Sequence, residues 1–216
     1  MQEALEAGRH LSGYALLGRT GLTVSGIGFG AYRIRESEDE HRRALAQALA
    51  AGCNLLDTST NYGDGSSERL VGQVLPKEMD RDGVVVVSKV GYVQGRNLTE
   101  AKQRLADGNP YPEMVRYSDR CWHCIHPEFL EAQITASLER MQLSCVDVML
   151  LHNPEYFLMD RARNPGAMSL EQRRDVYYRR VAHAFEFLEA QVSAGRIAHY
   201  GVSSNTFVVD PGRGDF

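Results

Sequence analysis

Four consecutive valines, Val84 to Val87, run straight into Ser88 and Lys89. An unbroken β-branched run suits a parallel strand buried on both faces, because a half-exposed strand would alternate apolar and polar residues. Parallel neighbours cannot be joined by a hairpin and need a crossover, normally a helix. This one run therefore predicts an α/β chain. Three further runs fit the same scheme: Asn54-Leu55-Leu56-Asp57, Val146 to Leu151 before His152, and Ile197 to Val202 before Ser203-Ser204-Asn205. The glycine-rich stretch Gly26 to Gly30 reads as the first of the five strands. In front of it, Tyr14 to Leu17 and Leu22 to Val24 flank Gly18-Arg19-Thr20-Gly21 as an N-terminal β-hairpin.

Helical signals fill the gaps. Ser37 and Glu40 have the spacing of a capping box, opening a helix that carries Leu45, Ala48 and Leu49 on one face and ends at Gly52. Ser66 or Ser67 caps a second helix with Leu70, Val71, Val74 and Leu75 inward. Pro127 opens a third, with Leu130, Ile134, Leu138 and Met141 on its apolar stripe. Ser169 and Gln172 make another capping box before a long helix closed by Gly195. Five strands alternating with four helices imply βα units and a parallel sheet. Gly91 to Ile125 interrupts the rhythm: it is about 35 residues long, where such connections usually have 2–6. A segment of that length is a functional loop or folds into a small subdomain.

At 43% hydrophobic and 24% charged residues, the 216-residue chain is expected to form one soluble globular domain over residues 1–216. Its net charge of -4 gives no general attraction to nucleic acid or to an anionic membrane. No apolar run approaches the ~20 residues of a membrane span, and the opening MQEALEAGRH lacks the pattern of a secretory signal, so a cytoplasmic location is expected. Four cysteines do not make a disulfide framework in a chain of this size. Cys121-Trp122-His123-Cys124 is a single C-x-x-C without a second ligand pair, so these read as ordinary thiols and no metal site is expected. Gly26, Gly28 and Gly30 are not followed by a helix, which excludes a Rossmann phosphate loop.

The ends of the strands carry the chemistry. Asp57 closes one run, with Tyr62 in the loop after it; Lys89 closes the valine run, His152 the next, and Ser203 to Asn205 the last. In a βα barrel all these ends share one face, where catalytic residues collect. Tyrosine is a weak acid, with a reference pKa of ~10. An ammonium ~4 Å away, at an effective dielectric of ~20, favours its phenolate by roughly 4 kcal/mol. Lys89 supplies such a charge, Asp57 holds the ammonium in place, and His152 orients a carbonyl oxygen or joins the proton relay. The set is a general acid–base device, worth ~10²–10⁴ in rate. Chemistry of this kind does not by itself name a reaction.

The motifs, taken in order, do. Leu17-Gly-Arg-Thr-Gly-Leu-Thr-Val24 with Gly26-Ile-Gly-Phe-Gly30, Cys53-Asn-Leu-Leu-Asp-Thr-Ser-Thr-Asn-Tyr62-Gly with Ser67-Glu68, Val87-Ser-Lys89-Val, Asp147-Val-Met-Leu-Leu-His152-Asn-Pro and Tyr200-Gly-Val-Ser-Ser-Asn205 together resemble the aldo-keto reductase family. That resemblance implies a partial (β/α)8 TIM barrel with five of its eight strands present, the chain being C-terminally incomplete after the fifth. It implies reduction of a small-molecule aldehyde or ketone with hydride from NADP(H), Tyr62 as the acid, Lys89 and Asp57 tuning it, and His152 orienting the substrate. It also implies cofactor contacts from Gly30 and Ala31, the latter standing where a threonine is usual, and from Ser203, Ser204 and Asn205. Ser203 and Ser204 occupy the family's Ser-Asn positions, and these three residues equally suit the N-cap of a following helix. Tyr32 and Trp122 are expected at the substrate mouth. The alternative is a non-catalytic binding or regulatory protein that keeps part of this fold.

Overall fold

The computed structural model describes residues 13–78, 81–160 and 168–206. The chain opens with β1 (Tyr14–Leu16) and β2 (Thr23–Ser25), an antiparallel hairpin. β3 (Phe29–Gly30), α1 (Asp39–Ala50), β4 (Leu55–Asp57), α2 (Ser66–Glu78) and β5 (Val85–Val90) follow. Next come β6 (Tyr92–Val93), α3 (Gly95–Ala106), β7 (Val115–Ser118) and β8 (Cys121–His123). The last part holds α4 (Pro127–Met141), β9 (Val146–His152), the single turn α5 (Tyr156–Met159), α6 (Leu170–Ser193) and β10 (Ile197–Ser203). The order β10-β9-β5-β4-β3 forms one all-parallel sheet of five strands. Among the described residues β3 and β10 are its two edges, and the sheet does not close on itself. This is an α/β fold with the strand–helix succession of part of a (β/α)8 barrel.

β5 shows why the valine run had to be parallel and central. It pairs with β4 on one side and β9 on the other, and all but one of its residues are buried. Leu45, Leu56, Leu70, Val86, Leu130 and Met149 stand at the centre of the core between sheet and helices. Gly72 lets α2 run against the end of α4, because a Cβ there would lie 2.6 Å from the Met141 carbonyl oxygen. Glu68 is fully buried at the same contact, accepting from Ser88 at 2.7 Å, Ser137 at 2.5 Å and Arg140 at 2.7 Å. One carboxylate thus ties α2 to β5 and α4.

Helix boundaries follow the expected chemistry with two corrections. Ser169 and Gln172 form the reciprocal capping box of α6, and Gly195, at φ 70°, follows that helix. Pro127 opens α4, and His126 caps it by accepting from Glu128 N. The Ser37–Glu40 box does not form. Ser37 donates its hydroxyl to Glu38 instead, and Glu38 is the N-cap of α1 without a side-chain cap bond. Neither Ser66 nor Ser67 caps α2: both lie inside the helix, the Ser66 hydroxyl accepting from Glu36 N and the Ser67 hydroxyl donating to the Ala31 carbonyl.

Gly91 to Ile125 folds into a unit of its own. β6, β8 and β7 make a three-stranded antiparallel sheet in that order, with α3 and a small core of Val93, Leu98, Tyr111, Trp122 and Cys124 that Phe129 of α4 completes. All four cysteines are free thiols. Among the described residues no helix is long and apolar enough to cross a membrane, and no group of three or more His, Cys, Asp or Glu is arranged to hold a metal ion.

Candidate active site

Register brings the predicted residues to one end of the sheet. Gly30 lies opposite Asp57, Lys89 opposite Leu150, and Ser203 opposite His152. Tyr62 follows β4 in a turn closed by its own N–H to the Ser59 carbonyl at 3.1 Å. Lys89, 5% exposed, donates its ammonium to the Tyr62 hydroxyl at 3.1 Å and to the Thr58 carbonyl at 2.9 Å, and it is ion-paired with Asp57. Each of its three protons has a partner, so the charge is held in a single place beside the phenol. The Asp57 side chain is 47% exposed, which keeps this ion pair at the rim rather than sealed in the core.

His152 completes the group. Its ring lies edge-on to Tyr62 with centroids 6.1 Å apart, and its Nδ1 is 3.2 Å from the Ser59 hydroxyl. Burial, then the nearby Lys89 and His123 charges, pushes its pKa down to about 3, so the ring is neutral at physiological pH. Asp57, Tyr62, Lys89 and His152 therefore come from three strand ends to one spot. An ammonium fixed against a phenol stabilises negative charge on that oxygen, and a neutral imidazole beside it can hydrogen-bond a polar ligand.

The other predicted residues divide. Tyr32 is 64% exposed and packs edge-on against Tyr62 at 5.0 Å, at the mouth of the group. Gly30 has open space where a Cβ would stand. Ser204 donates to Glu155 at 2.6 Å and accepts from Thr206 N, and Asn205 N donates to Asn153 Oδ1. Two residues stand elsewhere than expected, Ala31 by the resemblance and Trp122 as the chain's single tryptophan. Ala31 is 1% exposed and part of the main core, its N–H donating to the Asp57 main-chain carbonyl and its own carbonyl accepting from the Ser67 hydroxyl. Trp122 lies in the small core of the inserted unit, under Lys102 and Arg116, instead of at the mouth.

Tyr92 and His123, which no family motif marks, surround His152. Tyr92, at 4.7 Å between ring centroids, lies edge-on to it, and His123 Nε2 is 2.7 Å from its main-chain oxygen. Successive side chains on a strand point to opposite faces. That alternation puts His123 opposite its neighbour Trp122, a signal that was available within Cys121-Trp122-His123.

Residues 26–209 match the sequence model of the aldo/keto reductase family. The chain belongs to that family. It is 27% identical over 212 residues to L-galactose dehydrogenase of Arabidopsis thaliana, covering 89% of this chain and 58% of that one. It is 31% identical over 161 residues to D-threo-aldose 1-dehydrogenase of a Pseudomonas species, covering 71% of this chain and 47% of that one. The chain thus spans about half the length of these aldo/keto reductases. Among solved structures, the holo form of an aldo-keto reductase from Bacillus halodurans superposes with a TM-score of 0.62 at 23% identity, over 89% of this chain and 50% of that one. That likeness is one of fold.

Proposed function

We propose that this chain carries the proton-transfer machinery of a nicotinamide-dependent carbonyl oxidoreductase, with Tyr62 as the acid. The observation that carries the reading is the Tyr62–Lys89 hydrogen bond at 3.1 Å, with Lys89 held in turn by Asp57 and the Thr58 carbonyl. In the reductive direction Tyr62 gives its proton to the carbonyl oxygen as charge develops there, and the Lys89 ammonium stabilises the phenolate left behind. In the oxidative direction the same pair receives the proton of an alcohol. His152 hydrogen-bonds the oxygen between them and restricts its approach. The matched relatives named as dehydrogenases of galactose and of D-threo-aldoses make a sugar aldehyde or its cyclic form the first substrate class to try.

A bound nicotinamide dinucleotide, NADP(H) by the family resemblance, supplies or accepts the hydride. Two features of the strand ends fit it: the open space over Gly30, and Ser203 in register with His152, its side chain of a type able to hydrogen-bond a carboxamide. Ser204, engaged with Glu155, and Asn205 flank that position.

Fluorescence titration of the chain with NADPH and with NADH tests the binding half, and turnover of aldehydes and aldoses tests the chemistry. Tyr62→Phe is expected to lower kcat by at least ~10²-fold, the lower range for loss of a general acid. Unchanged turnover in that variant removes Tyr62 from its role. A protein that binds neither cofactor at millimolar concentration is the non-catalytic relative instead.

A further inference from the structure

β5 ends its ladder with β9 at Val90 opposite Leu151. The next carbonyl along β9, that of His152, is met instead by a ring from the inserted unit. His123, 1% exposed, places Nε2 2.7 Å from that oxygen. A carbonyl oxygen only accepts, so the proton must sit on Nε2 and the tautomer of His123 is fixed. Its ring is stacked on Tyr156, with centroids 5.4 Å apart and planes at 9°. Gly91 leaves the room: a Cβ there would lie 2.8 Å from His123 Nε2 and 3.3 Å from the His152 oxygen, wedged into the hydrogen bond itself.

The same unit reaches His152 a second time. Tyr92 sets its ring edge-on to the imidazole at 4.7 Å, donates its hydroxyl to Tyr156 at 3.3 Å and accepts from Asn153 at 2.6 Å. Main chain, ring and following residue of His152 are thus all touched by side chains of the inserted unit. From the other side the ring meets the Ser59 hydroxyl at 3.2 Å and the edge of Tyr62, both in the segment after β4.

We infer that the inserted unit is a brace for His152 and that His123 is its positioning residue, acting through the hydrogen bond to the His152 carbonyl. The inference rests on the oxidoreductase reading, in which His152 restricts the approach of the reacting oxygen. A ring displaced by about 1 Å is enough to cost of order 10²-fold in rate.

The test uses the full chain with 13C,15N-labelled histidine, and His152→Asn for assignment. In the unaltered protein the His123 Nε2–H is expected as a slowly exchanging proton with a protonated-type nitrogen shift, and the His152 Cε1–Hε1 pair as one sharp signal. His123→Leu should broaden or split the His152 signal, and His123→Gln, which keeps a donor, should restore it. In turnover, His123→Leu should lower kcat by roughly 10- to 100-fold with KM within about twofold, the pattern of a misplaced group rather than lost binding. A His152 signal in His123→Leu that superimposes on that of the unaltered chain overturns the inference. So does a His123 carrying its proton on Nδ1, a result that needs no variant and holds even if the leucine protein does not fold. Failure of the oxidoreductase reading shows as absent cofactor binding and turnover and leaves these spectra as they are, so the two failures are distinguishable.

Discussion

Acid should weaken this fold through its buried imidazoles, His123 above all. His123 has no exposed surface to speak of, and burial pushes its pKa from the ordinary 6.5 down to about 4, against the small opposing effect of its hydrogen bond to His152. In the unfolded chain the same ring takes up a proton near pH 6.5. Above that pH both states are neutral and the group has no effect. Between 6.5 and about 4 the unfolded state binds the proton and the native state does not, so stability falls as the pH falls. One pH unit is worth 1.36 kcal/mol, which makes the loss about 2 kcal/mol by pH 5 and roughly 3 kcal/mol once the native ring also titrates. His152, pushed down to about 3 by burial and by Lys89, adds a loss of the same sign. Urea unfolding at pH 7 and pH 5 measures the total, and His123→Gln isolates the one ring. The glutamine protein should lose about 2 kcal/mol less over that interval. An equal loss in both proteins would mean that His123 is not held neutral, and the reasoning from burial fails with it.

Three further outcomes follow from particular contacts. Glu68→Ala leaves Arg140 facing an empty, buried partner position and should cost about 3–5 kcal/mol, read from the shift of the urea midpoint. Gly72→Ala pushes a methyl against the Met141 main chain, which cannot rotate away, so a loss of about 1–3 kcal/mol is expected in the same assay; a neutral result would show that α2 and α4 slide apart freely. Lys89→Met removes the ammonium from Tyr62 and should lower kcat at least ~10²-fold while the protein stays folded by circular dichroism.

Much of the architecture was legible because it depends on local chemistry. The valine run of β5 could satisfy itself only between two parallel neighbours, and β4 and β9 are there. The Ser169–Gln172 box and Gly195 mark the ends of α6 because a cap and a positive φ are decided within a few residues. Ser37 shows the limit of that logic, since its hydroxyl had a nearer acceptor in Glu38. The site divides in the same way. Asp57, Lys89 and His152 stand at strand ends, where strand direction alone sends them to one face, and Tyr62 follows in the adjoining turn. Ala31 enters the main core and Trp122 the small one, because neither a motif position nor a residue's rarity says which core a side chain enters.

From its order of residues alone, this chain determined a parallel α/β sheet and the end of the sheet on which its polar groups collect. Those are matters of periodicity and of chain direction, which a linear string encodes. Tertiary structure decided what stands around the group: that the inserted unit folds back so that His123 and Tyr92 close on His152, and that Glu68 finds Arg140, 72 positions away. Such contacts depend on how separately formed pieces dock, and docking is settled by shape and by buried hydrogen bonds that no local pattern specifies.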